Sequence, residues 1–95
     1  MILNDIIEEI KTTTGISDVH IVDSKKTVLG VGNLYGGLNA EIALTPGAIL
    51  QIGDLFLVED IDEKGSWHLG ARDRQSGAIR CWGHYETLGE ALESL

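Results

Sequence analysis

The chain has 95 residues, enough for one domain spanning 1–95 and not for two. With 43% hydrophobic and 23% charged residues it has the balance of a folded globular protein rather than a disordered one. A formal charge of −8 disfavours a nucleic-acid backbone as partner, because binding phosphates requires clustered Lys and Arg.

The opening Met1-Ile2-Leu3-Asn4-Asp5 lacks the basic start and long apolar stretch of a secretory signal. No segment nears the ~20 apolar residues needed to cross a bilayer. A cytoplasmic protein without membrane contact is therefore expected. Leu3, Ile6, Ile7 and Ile10 recur at i, i+3, i+4 and i+7, which predicts a helix over 3–14. Asn4 or Asp5 can cap it, and Asp5 with Glu8 forms a capping-box pair. Gly15 is placed to end it in the left-handed region.

The texture then turns to β. Val19 to Val22, the polar turn Asp23-Ser24-Lys25-Lys26, and Thr27 to Val31 read as a hairpin. Gly30 to Gly37 superficially resembles a phosphate loop, but a strand follows it and no Gly-Lys-Ser/Thr is present. Turn glycines explain the run. Asn39 to Leu44 alternates as a strand, and Thr45-Pro46-Gly47 reads as a turn. Ala48 to Ile52 and Leu55 to Asp62 are the next strands, separated by Gly53-Asp54. Glu59 to Gly65 partly follows a calcium loop, but Lys64 takes a ligand position and Ala71 stands where the bidentate glutamate belongs. It reads as a solvated turn.

Ser66 to Asp73 and Ala78 to Tyr85 form the last hairpin. A three-residue loop ending in Gly77 would pair Arg74 with Ala78, Arg72 with Arg80, Gly70 with Trp82 and His68 with His84. That register puts Trp67, Leu69, Ala71, Ile79, Cys81 and Tyr85 on one core face. The other face then carries Arg72, Arg80, Trp82, His68 and His84, the candidate ligand-binding residues, with Arg74 at the rim. All three arginines fall within residues 72–80. Facing arginines destabilise a hairpin unless an anion or carboxylate neutralises them. That role falls either to the chain's own Glu59, Asp60 or Asp62, or to a bound anion. Trp82 offers a stacking surface beside the guanidinium groups.

His68 and His84, with Glu86 or His20 as a third donor, approach a metal site, but the donors are few and not locally spaced. No metal and no cofactor is therefore expected, and the histidines are read as solvated or facing a ligand. Cys81 is the only cysteine and lies in an apolar run, as a small core residue does. After the hairpin, Thr87 and Glu90 form a second capping box, and Leu88, Ala91, Leu92 and Leu95 predict a helix over 88–94. So short a helix must dock onto the sheet.

The expected fold is α+β: an antiparallel curved sheet of about five to six strands whose core face is covered by the two terminal helices. A small β-barrel with terminal helices is the alternative. Open sheet edges favour a homodimer. The expected function is a non-enzymatic interaction module for a protein partner, in the manner of accessory, inhibitor or immunity proteins. The alternative is a small-molecule binder taking an anionic or aromatic ligand on the last hairpin. A small hydrolase or isomerase using His68 and His84 is the third class.

Overall fold

The computed structural model describes residues 3–23, 25–32, 41–62 and 65–95. Its first element is the expected helix, α1 (Leu3–Thr14), which buries Ile6 and Ile10. Gly15 ends it at φ 73°, with its N–H donating to the Lys11 carbonyl. At the other end, α2 (Leu88–Glu93) starts on Thr87, whose hydroxyl accepts from the Glu90 N–H at 3.2 Å. That half of the predicted capping box is worth about 1 kcal/mol to so short a helix. No helix among the described residues is long and apolar enough to cross a membrane.

Among the described residues seven strands lie between the helices: β1 (Val19–Val22), β2 (Val28–Val31), β3 (Glu41–Leu44), β4 (Pro46–Ile52), β5 (Leu55–Asp60), β6 (Trp67–Arg72) and β7 (Ile79–Tyr85). They form one mixed sheet in the order β1-β4-β5-β6-β7-β2-β3. The expected all-antiparallel sheet is corrected at one place, where β2 runs parallel to β7. The predicted hairpin of Val19–Val22 with Thr27–Val31 does not form. β1 pairs with β4 and β2 with β7, at opposite ends of the sheet. The polar turn is real, with Lys26 N–H donating to the Asp23 carbonyl, but it launches a crossover. Residues 33–37 of the glycine run, Asn39 and Ala40 of the third predicted strand, Ser24, and Glu63 and Lys64 lie outside the described residues.

The predicted turn at Thr45-Pro46-Gly47 is also absent. Thr45 alone separates β3 from β4, and Pro46 opens β4 opposite Asp60, followed by a register shift before Ile49. Proline is tolerated at the first residue of a strand and at a bulge, since neither needs its missing N–H. This single-residue link has a global consequence. β3 is the last strand in the sheet and β4 the second, so the sheet must curl until its far end meets the start of β4. It curls without closing: β1 and β3 remain the outer strands, and the barrel alternative is not realised.

The curl accounts for an unexpected second core. On the helix side, Leu50, Ile52, Leu57, Trp67 and Leu69 pack with Ile6, Ile10, Leu88, Ala91 and Leu92. On the opposite side, Val28, Ile49, Phe56, Val58, Ile79 and Cys81 form a separate buried cluster. The unbroken run Leu55-Phe56-Leu57-Val58 is the local signature of a strand buried on both faces.

Cys81 is fully buried in this second core, as its apolar surroundings implied. Burial pushes its thiol up from 9.0 to about 12. Above pH 9 the unfolded chain loses this proton while the folded chain keeps it, so stability falls as pH rises. The thiol's contribution is complete below pH 9 and is lost toward pH 12, at no more than about 1.4 kcal/mol per pH unit. Denaturant titrations of wild type and Cys81→Ala over this range should converge as pH increases. Parallel curves would show that the thiol is not the titrating group.

Candidate functional site

The last hairpin is built around Asp73. Its carboxylate accepts from the Gln75 N–H at 2.9 Å and from the Ser76 hydroxyl at 3.2 Å, which folds the loop back on itself. The Gln75 N–H, helped by Arg80 and Ser76, holds the Asp73 carboxyl below its usual range. Gly77 takes φ 75°, and the loop closes between Asp73 and Ala78. The loop is thus the four residues Arg74–Gly77, one more than expected. The extra residue shifts the pairing at this end, so that Arg72 faces Ile79 and Ala71 faces Arg80.

A second irregularity cancels the first. Gly70 pairs with Cys81 and Leu69 with Gly83, leaving Trp82 as an extra residue in β7. Beyond it the expected pair His68–His84 is restored. The loop residue and the bulge residue compensate, and only the middle of the hairpin is out of the predicted register.

This breaks up the expected face. Arg72, His68 and His84 lie on the side away from the helices, in register with residues of the second core. Arg80 moves to the opposite side, in the row of Ala71 and Leu55. Ile79 and Cys81 move the other way, away from Trp67 and Leu69 and into the second core. Trp82 does not pair with Gly70; it stands on the bulge, 47% exposed. The facing Arg72–Arg80 pair therefore does not exist.

Neutralisation of Arg80 is internal, though not by the residues expected. It donates to Asp73 at 3.0 Å and to Glu41, rather than to Glu59, Asp60 or Asp62. Arg72 sits 5.4 Å from the centre of the Phe56 ring, a cation–π arrangement. Arg74 is exposed in the loop. Lys25 and Lys26 join Arg80 around a cavity of about 490 Å³, because β2 starts beside β7. This basic end of the molecule was hidden in sequence by the separation of residues 25–26 from residue 80.

The two histidines meet as predicted, with ring centres 4.9 Å apart. They differ in exposure: His68 is 4% exposed and His84 is half-buried. His68 Nε2 lies 3.3 Å from Asp60 Oδ2. Neither Glu86 nor His20 joins them; His20 pairs with Asp18 on the surface.

At the β5–β6 end of the sheet a cavity of about 570 Å³ opens between α1, the turn and the start of α2. Ile6, Trp67 and Leu88 line it together with Glu9, Glu59 and Glu86. The three carboxylates come from α1, β5 and the β7–α2 link, so no local spacing announces them. The acidic cavity lies at the Trp67 end of β6 and the basic one beside the loop that follows β6. No family model, no curated protein and no solved structure matches this chain.

Proposed function

We propose that the protein is a binding module that recognises a protein partner through a basic segment, received by the acidic cavity. The observation that carries this reading is the cavity's composition. An apolar floor of Ile6, Trp67 and Leu88 suits the methylene stem of a Lys or Arg side chain, while Glu9, Glu59 and Glu86 suit its charged head. The formal charge of −8 steers such a partner in from solution.

A second reading, an anionic small ligand, is favoured by the basic cavity at the other end. It relies on Lys25 and Lys26, since Arg80 already has two carboxylate partners.

One titration tests both readings. Fluorescent Lys/Arg-rich and Asp/Glu-rich peptides, inorganic phosphate and a nucleotide are each added to wild type, to Glu9→Gln/Glu86→Gln and to Lys25→Ala/Lys26→Ala. The first reading expects the basic peptide to bind, to weaken roughly two- to fivefold per lost carboxylate, and to weaken further with salt. It also expects a pull-down from the native cell to recover a specific protein. If the basic peptide binds no better than the acidic one, the cavity reading fails. A phosphate or nucleotide response that vanishes only in the lysine variant establishes the second reading instead.

A further inference from the structure

We propose that Asp60, His68 and His84 form a binding site for a divalent transition-metal ion of the zinc type, clamping β5, β6 and β7 together. One ligand atom from each residue lies within 4.8 Å of the others. The sheet register creates this convergence. His68 pairs directly with His84 across β6 and β7, and Val58 of β5 pairs with His68, which places Asp60, two residues on, at the same end of the same face. Donors carried on strands are held more rigidly than donors on loops, and rigid placement favours ligation.

One separation already fits the ion. Two ligand atoms each ~2.0–2.1 Å from a tetrahedral zinc are roughly 3.3 Å apart. His68 Nε2 and Asp60 Oδ2 are separated by 3.3 Å. An ion between them would replace their hydrogen bond, and the His84 donor, within 4.8 Å of both, would close in to complete the set. The donor chemistry fits as well. Two imidazoles and one carboxylate match zinc, cobalt or iron, whereas calcium and magnesium prefer all-oxygen sites. His68 provides a buried anchor, while half-buried Asp60 and His84 keep the cluster in contact with solvent.

Removing His84 leaves the Asp60–His68 contact in place, so this variant tests the third ligand. The test uses untagged protein and competition for Zn²⁺ against a chromophoric chelator. Co²⁺ serves as a spectroscopic probe, since its visible absorption reports a tetrahedral site. Wild type is expected to bind one zinc per chain, to give the cobalt spectrum and to melt at higher temperature with zinc. His84→Ala and Asp60→Asn should each weaken zinc binding at least roughly tenfold and abolish the zinc-dependent rise in Tm. Asp60→Asn keeps an acceptor for His68, so it should fold even if His84→Ala does not. His20→Ala, on the exposed Asp18 pair, should bind as wild type does. The proposal is overturned if wild type binds no zinc below millimolar concentration, or if both variants bind as tightly as wild type.

Discussion

Gly70→Ala is expected to be severely destabilising. A Cβ at residue 70 would lie 2.5 Å from the Arg80 carbonyl oxygen and 2.9 Å from its carbon. The obstruction is backbone, so no rotamer change relieves it. Its cause is the bulge at Trp82, the point at which pairing switches from Gly70–Cys81 to Leu69–Gly83. The methyl group must push β7 off β6 or erase the bulge, and erasing the bulge would throw Ile79 and Cys81 out of the second core. The expected loss is about 3 kcal/mol or more, against a total stability of roughly 5–15 kcal/mol for a domain of this kind. At ~4–8 °C per kcal/mol, Tm should fall by more than about 10 °C. Gly83→Ala is the control. Its Cβ would meet the Tyr85 hydroxyl at 2.8 Å, an obstruction made by a side chain and not by backbone, so a smaller loss is expected. If Gly70→Ala melts within a few degrees of wild type, the bulged register is wrong.

The second large effect tests the double core. Phe56 and Leu57 are neighbours in β5 that point to opposite faces, and they are 2% and 0% exposed. A sheet with one core and one wet face would lose stability at one of them only. Here Leu57→Ala should cost ~2–5 kcal/mol and Phe56→Ala ~3–5 kcal/mol. The loss at Phe56 also removes the ring beneath Arg72. Urea denaturation of the two single variants measures this directly. A Phe56→Ala cost under about 1 kcal/mol would show that the face away from the helices is not a packed core.

The particular successes and failures of reading the chain share one physical pattern. Both helices were legible because capping and amphipathic spacing act over a single turn: Thr87 with Glu90, and Ile6 with Ile10. The strands β5, β6 and β7 were legible for the same reason, together with the His68–His84 pair. The hairpin proposed for residues 19–31 failed because a polar turn between two apolar runs says nothing about which strand each run will join. Val19–Val22 found β4, thirty residues away, and Val28 found Ile79. The candidate site suffered from a smaller error with a larger effect. One extra loop residue and one bulge residue leave composition and alternation almost unchanged, yet they turn over every side chain between them.

The sequence by itself therefore determined an acidic α+β fold, helical at both ends and β-rich between, with the arginines and two of the three histidines on its last hairpin. Those properties follow from local geometry, in which side chains three or four apart share a helix face and alternate residues share a strand face. Only the tertiary structure decided the strand order, the parallel β2–β7 pair, the curl that creates a second core, and the side on which Arg80 lies. It alone brought Glu9, Glu59 and Glu86 around one cavity, and Asp60 to the two histidines. These depend on which distant apolar surfaces bury one another best, a choice made by the whole chain at once and carried by no single segment.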